Sequence, residues 1–166
     1  MAATLRDTPR VSSIHVVSPE ALESKPVGAA LRYWNALRGD RPYPSRAELV
    51  PRDMTAFLRN VVLAQAIDAG KDYEYRIAGD AHVQAYGFNF KGMRLTKVEE
   101  LNPDWGTMTR AAYENVRITG QPLALRGSVG RELAGSRFSY HETVFLPLGS
   151  GGDVDHLMIV TAYTQR

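Results

Sequence analysis

The chain predicts an α+β domain, with one antiparallel sheet of about five strands, helices on one face of it, and a helical leader ahead of it. Two observations carry this. Two strand-like runs, Val61–Ile67 and the stretch holding Tyr73, Tyr75 and Ile77, stand side by side, and helical segments follow them. Three more strand-like runs, at 123–129, 136–148 and 157–164, close the chain. Strands, then helices, then strands do not make a repeating βαβ unit; they suit an antiparallel sheet with its helices gathered on one side.

A length of 166 residues is that of one domain, divided here into a flexible tail (1–17), a helical leader (18–60) and the sheet-bearing core (61–166). With 44% hydrophobic and 23% charged residues, the chain can bury a sizeable core. A net charge of +2 is too small to imply a phosphate-binding surface, so no nucleic-acid partner is expected. No apolar run nears the roughly 20 residues that span a bilayer, and residues 1–13 lack the apolar stretch of a secretory signal, so the expected location is the cytoplasm.

Ser18-Pro19 has the pattern of an N-cap and first helical position, and Pro26 interrupts any helix running on from it. From Val27 to Leu37 the apolar residues Val27, Ala30, Leu31, Trp34 and Leu37 recur every three or four positions, and Gly39 ends the stripe. Ser45 and Glu48 have capping-box spacing. Tyr73, Tyr75 and Ile77 alternate with Glu74 and Arg76, which places the three on one strand face. A short helix, from about Ala81 to Tyr86, stops at Gly87. Asn102 and Pro103 cap and open the longest helix, which carries Trp105, Met108, Ala112 and Val116 on one face before Gly120 ends it.

Arg32-Tyr33-Trp34-Asn35-Ala36-Leu37-Arg38-Gly39, Arg41-Pro42-Tyr43-Pro44-Ser45-Arg46, Tyr75-Arg76-Ile77-Ala78-Gly79-Asp80, Ala85-Tyr86-Gly87 and Leu146-Pro147-Leu148 follow one another along the chain. In this order they resemble a family of short bacterial stand-alone PAS-domain proteins. The likeness covers about residues 28–164. It implies a PAS-like sheet-and-helix fold and a sensory role; it supplies no catalytic residue.

PAS domains elsewhere hold flavin, haem, a linked chromophore or a metabolite, and each choice demands particular residues. The chain has no cysteine, so a flavin–cysteine adduct and a thiol-linked chromophore are both disfavoured. Asn102–Gly120 contains no histidine to serve as an axial haem ligand, and His82, on the earlier helix, reads as a surface or satisfied helix residue. His141 beside Glu142, and Asp153, Asp155 and His156 beside a Gly-rich turn, are poor metal sets, because adjacent strand residues face opposite ways. Ser128 lacks the setting of a nucleophile elbow. Asp80, His82 and Glu142 could supply acid/base groups only if the fold paired them. Arg110, Arg117, Arg126, Arg131 and Arg137 read as a solvated basic face before an anion site.

The expected site is a small-molecule cavity between sheet and helices, walled by Tyr75, Tyr86, Trp105, Met108, Tyr140 and Glu142. A shift of one residue in strand phase would exchange Tyr140 and Glu142 for His141. The stripe of Val27, Leu31, Trp34 and Leu37 is expected to form a homodimer interface, with cover for the chain's own sheet as the alternative. The reading is a sensory or regulatory domain, not an enzyme, that binds a small molecule or a protein partner and signals by association. A scaffold with a filled core is the rival, and a small-molecule enzyme comes third.

Overall fold

The computed structural model describes residues 13–128 and 140–164. Its elements in chain order are β1 (Ser13–Val17), α1 (Lys25–Arg38), β2 (Val61–Ile67), β3 (Asp72–Ala78), α2 (Asp80–Tyr86), α3 (Leu95–Leu101), α4 (Pro103–Thr119), β4 (Leu123–Ser128), β5 (Tyr140–Ser150) and β6 (Asp153–Thr164). Short 3-10 turns fill much of the stretch between α1 and β2. The expected strand ends at Val129 and Ser136 lie outside the described residues.

The sheet is antiparallel, in the order β1-β4-β5-β6-β2-β3, and holds six strands instead of five. The added strand comes from the segment read as tail: Ser13–Val17 pairs with β4, Ser13 opposite Ser128 and Val17 opposite Ala124. Ser-Ile-His-Val-Val has little periodicity to announce a strand, and the backbone groups along β4 supply the partners that order it. The approach is tight at Gly127, where a Cβ would stand 1.9 Å from the Ser13 carbonyl oxygen.

Helices cover both faces of the sheet. α4 lies on one side with α2 and α3, as expected, its Ala112, Tyr113 and Val116 packing with Phe145, Leu157 and Ile159. On the other side, Val27, Ala30 and Trp34 of α1 pack with Val144, Leu146, Leu148, Met158 and Val160. Val27 is 0% and Trp34 2% exposed, so these two residues of the stripe expected at a dimer interface cover the chain's own sheet, while Leu37 is half-buried. Leu31, half-buried, packs against the same cluster. An apolar face of this size beside a bare sheet face is satisfied most economically within the chain.

Two irregularities in the strands position side chains. The β2–β3 register steps from Leu63 opposite Ile77 to Ala64 opposite Tyr75, making Arg76 an extra residue. Tyr73 and Tyr75 therefore stay on the α4 side, while Ile77, expected on the same face, packs with the α1-side cluster. In β5, pairing with β4 ends at Phe145, and the strand runs on through Pro147. The Pro147 carbonyl accepts a hydrogen bond of 2.8 Å from the Trp34 indole, on the side β4 has vacated. The missing N–H points to that same side, so no ladder bond is lost.

Candidate functional site

The helix caps set the frame of the site. Asn102 Oδ1 accepts from the Trp105 backbone N–H at 3.2 Å and starts α4, which Gly120 ends in a left-handed conformation at φ 65°. α3 and α4 approach so closely that a Cβ on Gly106 would meet Glu99 Cα at 2.6 Å. This fixes Trp105 and Met108 over the sheet.

Between the sheet and α2–α4 lies a cavity of about 250 Å³. Every described strand contributes to its wall, including β1 through Ile14. Phe88 and Leu101 belong to the wall and are 46% and 63% exposed, so they mark its rim. No Asp, Glu, Lys or Arg is among the described residues of the wall.

Several of its polar groups are hydrogen-bonded within the protein. His82 Nε2 lies 2.7 Å from the Asn60 carbonyl, which can only accept, so Nε2 carries the hydrogen. Burial lowers the His82 pKa to about 4, and in the neutral ring Nδ1 is an acceptor. The Tyr163 hydroxyl, 2.6 Å away, donates to it. The Tyr163 ring also meets Tyr86 edge to face, with centroids 6.0 Å apart. The hydrogens thus run from Tyr163 to His82 and from His82 to the Asn60 carbonyl. Thr143 Oγ1 donates to Thr161 Oγ1 at 2.9 Å and lies 3.2 Å from His141 Nδ1. Burial lowers His141 to about 4, so this ring too is neutral at pH 7. The hydroxyls of Tyr75 and Tyr113 form a separate pair at 3.0 Å, and burial pushes Tyr75 up to about 12.

Of the side chains expected in the wall, Tyr75, Tyr86, Trp105 and Met108 are there; Tyr140 and Glu142 are not, and His141 takes their place. The cause is strand phase. His141, Thr143 and Phe145 face the cavity, whereas Glu142 and Val144 face α1. β5 is buried without a break from His141 to Gly149, so its sequence shows no alternation from which phase could be read. Glu142 instead receives the backbone N–H groups of Glu23 and Ser24 at the start of α1, with Arg126 at 3.5 Å.

The sequence reading also missed Thr143, Thr161, Tyr163 and Tyr113 in the wall, and Ile14. Alternation of Leu157, Ile159, Thr161 and Tyr163 on β6 was the available signal for two of them. His82 is satisfied but buried, not at the surface. It lies across the sheet from Glu142, so the two do not form an acid/base pair. Arg110, Arg117 and Arg126 pair with Glu99, Glu114 and Glu23 respectively and do not converge; Arg131 and Arg137 lie outside the described residues. Asp155 accepts from His156 at 2.8 Å, and among the described residues no three His, Asp or Glu side chains are grouped to hold a metal. No described helix is long and apolar enough to cross a membrane.

These features define a small α+β domain that encloses an apolar chamber between its sheet and one helical layer. A family profile described as a PAS domain matches residues 22–158, and the chain belongs to that family. No curated protein and no solved structure matches it. PAS domains are in general sensory or regulatory, not catalytic.

Proposed function

We propose that the chain is a sensory PAS domain that takes a small molecule into the cavity and reports its presence through contacts with a protein partner. The cavity carries this reading: about 250 Å³ is left between well-packed layers, where a pure scaffold would fill the space with side chains. Hydrogen bonds between Thr143 and Thr161 and between Tyr163 and His82 hold these side chains in place ahead of binding. β5 offers a route outward, since it presents His141 to the cavity and, one residue on, holds the start of α1 through Glu142. A guest that shifts His141 acts on the strand that carries this anchor.

Native mass spectrometry of the purified protein tests the reading, with Met108→Trp as the variant that fills the chamber. A small-molecule adduct present in the wild type and lost in a folded Met108→Trp protein supports it. An adduct that persists in the variant places the guest elsewhere and overturns it.

A further inference from the structure

We infer that the molecule taken by this cavity is an uncharged aromatic compound of one or two rings. This rests on the cavity being a ligand site, and it adds the chemical class. Size gives the first limit, because about 250 Å³ falls below the roughly 300–1,000 Å³ of pockets that hold drug-sized ligands.

Charge gives the second. The described wall offers no carboxylate, ammonium or guanidinium to pair with an ion. The buried carboxylate of Glu142 lies on the far face of the sheet and is already engaged by two backbone N–H groups and Arg126. The hydrogens of Tyr163 and His82 are directed to His82 Nδ1 and the Asn60 carbonyl, so these two do not solvate an anion. An ion entering here would lose its water and find no counter-charge among the described residues of the wall.

The third limit is the geometry of the rings. Tyr75 and Phe90 meet edge to face with centroids 5.0 Å apart, Tyr86 and Phe90 at 6.1 Å, and Trp105 and His141 at 6.0 Å. The wall is therefore a set of steeply inclined rings, and a flat aromatic guest extends the same edge-to-face pattern into the space they surround.

Three probes of one carbon skeleton separate these limits by titration calorimetry at pH 7: 2-naphthol, the anion 2-naphthoate, and the saturated alcohol decahydro-2-naphthol. The expected result is saturable binding of 2-naphthol, with 2-naphthoate at least ~100-fold weaker and the saturated alcohol about 10-fold weaker. Met108→Trp, folded by circular dichroism, abolishes the 2-naphthol signal. Binding of 2-naphthoate as tight as that of 2-naphthol overturns the exclusion of charge, and equal binding of the saturated alcohol overturns the aromatic preference. Both of those outcomes leave the cavity standing as a ligand site. If none of the three binds, the ligand reading of the cavity falls together with the class assigned to its guest.

Discussion

Glu142, in the middle of the sheet, and Ser24, at the start of α1, are joined by a hydrogen bond of 2.8 Å in which the Ser24 backbone N–H donates to the carboxylate. The Glu23 N–H reaches the same carboxylate at 3.1 Å. One side chain of β5 thus fixes where the helix begins, and it faces the positive end of that helix.

Glu142→Ala is expected to cost about 1–3 kcal/mol, since it strips a carboxylate acceptor from two part-buried N–H groups. Glu142→Gln keeps one acceptor oxygen and should cost about half as much. Urea denaturation of the two variants checks the order. A loss below about 1 kcal/mol for the alanine variant would show that the anchor contributes little.

Stability should fall as the solution is acidified from pH 7 to pH 5. His82 and His141 are held near 4 in the folded protein against an ordinary value of 6.5, so the unfolded chain binds more protons in this window. The contribution is fully present above 6.5 and is lost progressively as pH falls toward 4. The loss by pH 5 is on the order of 2 kcal/mol for each ring. Glu48, Asp72 and Glu114, whose pKa values are lowered by their hydrogen bonds and ion pairs, lose their contribution only at lower pH. Urea midpoints across the window should show the slope, and His82→Gln should halve it. A flat profile in the wild type would mean that the two rings accept protons without unfolding.

Trp34→Ala should destabilise the protein by about 3–5 kcal/mol, because it opens a cavity under α1 and removes the donor to the Pro147 carbonyl. Thermal denaturation reads the loss directly. A variant as stable as the wild type would place Trp34 outside the core.

Gly127→Val should dislodge β1 while leaving the rest of the sheet paired, since the new side chain meets the Ser13 backbone. Amide exchange offers the measurement: protection is expected to vanish over Ser13–Val17 and persist in β5 and β6. Retained protection over that segment would contradict the tight approach.

The parts of the fold legible in the sequence are those that local chemistry decides. Asn102-Pro103, Gly120 and Gly87 mark the helix ends as expected, Ser45 and Glu48 form their capping box, and Val61–Ile67 is a strand as read. What escaped depends on partners distant in the chain. β1 is ordered by β4, far along the sequence. Ile77 changes face because of a bulge that shows only in the pairing of β2 with β3. For the site, helix residues Tyr86, Trp105 and Met108 were readable because a cap fixes helical phase. Tyr140 and Glu142 were misplaced because a strand covered on both faces carries no polarity pattern.

Beyond Phe145, β5 has lost β4 as a neighbour and at Gly149 its backbone meets another segment, donating to the Pro44 carbonyl at 3.0 Å; a flank without a strand partner ordinarily invites the backbone of another molecule. At Pro147 this flank carries no N–H to offer, and the one carbonyl there is occupied by an indole from the same chain. The domain therefore protects itself at this point against edge-to-edge aggregation. Trp34 serves as a plug as well as a core residue, and its loss should leave a protein that is both less stable and more prone to self-association through strands.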